Sequence, residues 1–171
     1  VAFNAWSLLS PHTGIASYTR NLALALEGSG AVNLRYFYGH GWSDELRTAP
    51  LFGMNTVKSW VKKIVPRPYA LMRFVQQQRF DMGMRRQACD LYHEPGFLPF
   101  RFDVPTVITI HDLSPLRFPE THPAQRVREF SEQLPKAIDR AARIIVDAES
   151  VRQEIIVTFG VPPERVQAIH L

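Results

Sequence analysis

A chain of 171 residues with 46% hydrophobic content can bury one sizeable core, which excludes a disordered or fibrous class and leads us to expect one globular domain. Its single cysteine, Cys89, excludes an internal disulfide, and no apolar run reaches the ~20 residues that span a bilayer, so the cytoplasm is the expected location. The formal net charge of +4 is uneven: residues 54–88 carry Lys58, Lys62, Lys63, Arg67, Arg73, Arg79, Arg85 and Arg86 against the lone acid Asp81, a local +7 that leaves −3 elsewhere.

Residues 1–6 read as a strand, and the N-terminal VAFNAWSLL lacks the basic flank of a signal peptide. Residues 14–26 carry helical spacing through Ile15, Tyr18, Leu22 and Leu26, and Gly28 and Gly30 end that helix. Residues 32–38 are the second strand and residues 39–53 a loop. In the basic region that follows, VKSWVKKIV and YALMRFVQQQRF set Trp60, Val61, Ile64, Leu71, Phe74 and Val75 beside cations. That is the pattern of a helix on an anionic membrane surface; the plain alternative is a solvated helix face. No nucleic-acid fold motif accompanies the basicity, so nucleic acid is not an expected partner. Residues 91–93 form a short strand closed by Pro95-Gly96, and the next strand ends at His111. Residues 123–141 read as a helix with a kink at Pro135, residues 144–146 as a strand, residues 151–159 as a helix closed by Gly160, and residues 166–169 as the last strand. This alternation predicts the α/β class, a parallel sheet with helices on both faces.

The stretch PTVITIHDLS carries the strongest functional signal. Val107, Ile108 and Ile110 read as a strand buried on both faces, which puts His111 at its carboxyl end, where open α/β sheets bind ligands. A histidine satisfied by a nearby carbonyl is the bland alternative. His93-Glu94 and His111-Asp112 both follow short apolar runs, so two strands are expected to present a His-acid pair at one edge, able to polarise a hydroxyl or bond a sugar. Gly14 opens a helix just after a strand, a place that admits a phosphate, although a turn glycine reads the same way. G-x-G-x-x-G is absent and the second strand closes on Tyr38-Gly39 without an acid, which argues against a nicotinamide oxidoreductase. Ser114 and Ser150 lack a G-x-S-x-G elbow, Cys89 has no cue for a lowered pKa, and no ligand set for a metal is assigned.

Taken together, HTGIASYTRNL, DLYHEPGFLP, TVITIHDLSPLRFPETHP and AARIIVDAESVRQEIIVTFGVPPERV resemble the N-terminal half of a glycosyltransferase family 4 enzyme. The resemblance implies a three-layer Rossmann-like domain over residues 1–171, the acceptor-side half of a GT-B fold, with the nucleotide-sugar-binding domain lying outside this chain. It implies a retaining transfer of a hexose, mannose among the candidates, from a nucleotide-diphosphate sugar to a glycan or lipid-linked acceptor in surface polysaccharide or lipopolysaccharide synthesis. The nucleotide sugar is a substrate and no cofactor is expected. By the same resemblance His111 is the catalytic histidine that contacts the donor sugar, and Gly14 lies near the donor diphosphate. His12, Thr13, His93, Glu94 and Asp112 are the further substrate-binding candidates. Two departures stand out: Ala16 and Ser17 occupy positions where many members carry a second glycine and an arginine. The fragment alone is expected to be inactive and, through residues 54–88, peripheral at the inner membrane face. Two alternatives stay open, a nucleotide-sugar isomerase on the same scaffold and a non-catalytic carbohydrate-binding module.

Overall fold

Strands of two to five residues, joined by helices, are what the alternating pattern produces. The computed structural model describes residues 1–10, 13–47 and 68–170. These form two compact units, Val1–Cys89 with Phe100–Phe102, and Asp90–Pro99 with Asp103–Leu171.

The first unit holds β1 (Ala2–Asn4), α1 (Gly14–Gly28), β2 (Arg35–Phe37), β3 (Trp42–Ser43) and α2 (Pro68–Gln87). β1 and β2 are parallel, with Ala2 opposite Arg35 and Asn4 opposite Phe37. β1 is shorter than the expected residues 1–6 because the Asn4 side chain accepts from the Trp6 amide at 3.1 Å and the chain turns into a 3-10 segment, Trp6–Leu9. β3 lies where a loop is expected. Gly39, at φ 78°, reverses the chain, Tyr38 N–H donates to the Gly41 carbonyl at 2.9 Å, and β3 pairs antiparallel with β2. α1 lays Ala23 against Phe3, Ala5, Leu34, Tyr36 and Tyr38.

α2 is apolar on opposite sides. Its inner face buries Gln76, Phe80 and Met84, and Phe80 joins Phe37, Trp42 and Phe100 in an aromatic cluster with centroids 5.0–5.4 Å apart. Gly83 admits the Trp42 indole so closely that a Cβ there would overlap it. The outer face leaves Leu71, Phe74, Val75 and Met82 between 38% and 60% exposed. VKSWVKKIV, with Trp60, Val61 and Ile64, lies outside the described residues.

The second unit runs β4 (Tyr92–Glu94), β5 (Thr106–Ile110), α3 (Ser114–Arg117), α4 (Ala124–Arg140), β6 (Arg143–Val146), α5 (Glu149–Phe159) and β7 (Val166–Ala168). Its strands follow the order β4-β5-β6-β7 and every pair is parallel. Ile108, Ile110, Ile144 and Val146 pack with Phe130, Leu134 and Ile138 of α4 and Ile155 of α5. Thr109, between the two isoleucines, is also fully buried, so β5 is enclosed on both faces as its sequence predicts. α4 passes through Pro135 without ending. Its last carbonyls are met by Arg165, which donates to Ile138 and Asp139 at 2.7 and 3.0 Å. Gly160 closes α5 in the left-handed conformation, φ 63°. The α/β, Rossmann-like class read from the sequence is what the chain adopts.

Candidate functional site

β5 and β6 run in register with Ile110 opposite Val146, so the next residue of each, His111 and Asp147, leaves the sheet at the same level. The Asp147 carboxylate (Oδ2) accepts from His111 Nδ1 at 2.6 Å. A carboxylate in this role only accepts, so the proton of the bond sits on Nδ1. The second ring nitrogen, Nε2, faces the carbonyl oxygen of Pro95 at 3.2 Å. Phe97 meets the ring edge-on at 5.8 Å and rests on Phe130 of α4 at 5.2 Å. The His111 side chain is 13% exposed and that of Asp147 21%, so both reach solvent from a largely packed setting. Beside them, Ile169 N–H extends the ladder past β7 to the Val146 carbonyl at 2.8 Å, and the exposed His170 donates from Nδ1 to the Asp147 carbonyl at 3.2 Å.

The expected second pair occupies a different level of the sheet. His93 lies inside β4 opposite Val107, four residues short of His111 along the ladder, or about 13 Å at ~3.3 Å per residue. It is 7% exposed, and burial pushes its imidazole down to about 4. The expectation that His93-Glu94 and His111-Asp112 share one rim is therefore corrected: β4 extends through both residues, because Tyr92, His93 and Glu94 all pair with β5. Glu94, 5% exposed, accepts from the Tyr92 hydroxyl at 2.6 Å and from the Gly96 amide at 3.2 Å. Its carboxylate thus braces the turn that carries Pro95 to His111.

Asp112 is exposed and its Oδ1 accepts from the Ser114 amide at 2.7 Å, which opens the short helix α3. Ser114 Oγ and His122 Nε2 are 3.0 Å apart and tie α3 to the loop after it. In the first unit Thr13 caps α1, its hydroxyl accepting from Ala16 N–H at 3.2 Å. Thr13 and Gly14 are exposed, and a Cβ on Gly14 would meet nothing within 4 Å, so open space adjoins the start of α1. His12 lies outside the described residues. Among the described residues no group of three or more His, Cys, Asp or Glu side chains could hold a metal, and no helix is long and apolar enough to cross a membrane.

His111 stands where its sequence places it, just past the end of β5, while Asp147 beside it is not among the residues its sequence singles out. The signal was present, since RIIV-Asp repeats the form of TVITI-His, but only the register of two distant strands makes the residues neighbours. The same pairing chemistry identifies an imidazole whose one nitrogen is fixed by a carboxylate and whose other is held near a carbonyl, a group able to donate to or accept from a hydroxyl.

Two comparisons bear on this arrangement. Residues 12–171 match the family model described as Glycosyltransferase Family 4. The chain is also similar to the O-antigen chain mannosyltransferase B of Escherichia coli, 28% identical over 163 residues that cover 91% of this chain and 42% of that protein. It spans about two fifths of the length of the curated relative it matches.

Proposed function

Because this chain belongs to glycosyltransferase family 4, we propose that it forms the acceptor-side half of a retaining transferase that moves a hexosyl group from a nucleotide-diphosphate sugar to a hydroxyl of a glycan or lipid-linked acceptor. Mannose is the first candidate, since the similar Escherichia coli protein is named a mannosyltransferase of O-antigen chains. Surface polysaccharide assembly is the matching context. The observation that carries the reading is the His111–Asp147 pair at the carboxyl ends of β5 and β6, where α/β sheets bind ligands.

In this reading His111 Nε2 bonds a hydroxyl of the donor sugar and Gly14 at the start of α1 belongs to the diphosphate. The anomeric carbon exchanges its bond to the diphosphate for one to the acceptor oxygen, and the acceptor proton leaves with the diphosphate. Asp112 and Thr13 are candidates for further polar contacts. His93 and Glu94 act through the fold, the first as a buried neutral side chain and the second by holding the Pro95 turn. The outer face of α2, with Leu71, Phe74, Val75 and Met82 flanked by Arg79, Arg85 and Arg86, supports peripheral attachment to an anionic inner-membrane surface.

The test replaces His111 by Ala in the natural protein and follows nucleotide diphosphate release and glycoside product by mass spectrometry. We expect kcat to fall about 100-fold or more, with a smaller change in donor KM. Conversion of the donor to an isomer without acceptor would replace the reading by an isomerase. Ligand binding without turnover by the unaltered protein would replace it by a carbohydrate-binding module.

A further inference from the structure

We infer that Asp147 is a positioning residue for His111: it pins the proton on Nδ1 and so reserves Nε2 as the working nitrogen. The inference rests on the transferase reading for its catalytic meaning but on the geometry alone for its chemistry. Three observations carry it. The Nδ1–carboxylate bond is 2.6 Å, just shorter than the ~2.7–2.9 Å of charge-assisted N–H···O bonds. The other carboxylate oxygen, Oδ1, is buried and has no hydrogen-bond partner among the described residues, so Asp147 sits where its own solvation is poor. And Nε2 faces the Pro95 carbonyl at 3.2 Å, on a turn held by the Glu94 carboxylate.

With Nδ1 held by the carboxylate, hydrogen bonding to a ligand falls to Nε2. That nitrogen can donate, as toward the Pro95 carbonyl, or accept a hydrogen bond from a sugar hydroxyl. Phe97 packs edge-on against the ring, centroids 5.8 Å apart. The Asp147 carboxylate thus selects both the tautomer and the direction in which Nε2 points.

The test uses Asp147→Asn in the natural protein. Asparagine keeps the shape but replaces the acceptor-only carboxylate by a neutral amide able to turn its N–H toward Nδ1, so the charge that holds the Nδ1 proton is lost and the Pro95 carbonyl draws the proton to Nε2. Long-range proton–nitrogen correlation spectra of histidine-labelled protein are expected to show His111 protonated at Nδ1 in the unaltered protein and at Nε2 in the variant. Sugar transfer is expected to lose about 10- to 100-fold in kcat with donor KM changed less than about threefold. Asp147→Glu, which restores an acceptor-only group, is expected to return the Nδ1 tautomer and part of kcat. An unchanged tautomer in Asp147→Asn overturns the inference whatever the activity. A switched tautomer with unaltered kcat overturns the positioning role. Absence of sugar transfer by the unaltered protein counts against the transferase reading, and the spectra still decide whether Asp147 sets the ring.

Discussion

At His93 the imidazole is held in the interior of β4, 7% exposed, and burial keeps it neutral down to about 4. In the unfolded chain the same ring takes a proton near 6.5. Between these values the unfolded state binds more protons, so stability present above pH 6.5 is lost as pH falls toward 4. The loss is about 3 kcal/mol from this residue, on the scale of ~1.4 kcal/mol per pH unit. Urea unfolding at a series of pH values checks it: His93→Gln is expected to flatten the dependence in that window by about this amount. His111 contrasts with His93 because it stands one residue beyond its strand and four rungs further along the ladder. Position relative to the strand end, more than residue type, separates the packed His93 from the His111 proposed to contact the sugar.

At the scale of the element, α4 shows how an amphipathic pattern overrides a local breaker. Phe130, Leu134, Ala137 and Ile138 recur at helical spacing and are all buried, and their packing carries the helix through Pro135. The proline is itself exposed and has no N–H for the Ser131 carbonyl. Pro135→Ala restores that donor and removes the ring clash without disturbing the buried face. We expect a gain of about 1–3 kcal/mol in chemical denaturation, below the full ~3 kcal/mol cost of an interior proline because the helix has already adapted. α2 presents the opposite case. Its pattern looked one-sided in the sequence, yet Phe80 and Met84 serve the core while Leu71, Phe74, Val75 and Met82 face outward.

For the molecule as a whole, that outward face and the concentration of positive charge in residues 54–88 make one further expectation. The protein should float with vesicles containing anionic lipid and not with zwitterionic ones, at about 1 kcal/mol per cation near the surface. Salt should weaken the attachment, since the screening length shrinks from ~10 Å at 0.1 M to ~3 Å at 1 M. Leu71→Glu with Phe74→Glu should abolish it while leaving the buried face of α2 intact. Vesicle binding unaffected by salt and by both substitutions would remove the membrane role of this surface.

Periodicity and punctuation along the chain were enough to establish the α/β class, the helix ends at Gly14 and Gly160, and the exit of His111 from a buried strand. These are short-range properties: side-chain alternation, 3.6-residue spacing and the turn residues are read within a dozen positions. The partner of His111 was a different kind of fact. Asp147 lies 36 residues away and becomes its neighbour only through the pairing of Ile110 with Val146. The same holds for His93, whose burial depends on how far β4 pairs with β5, and for β3, which exists because Gly39 turns the chain back onto β2. Register between strands is fixed by packing over the whole sheet, so no local pattern states it, and the chemistry of the site follows from register.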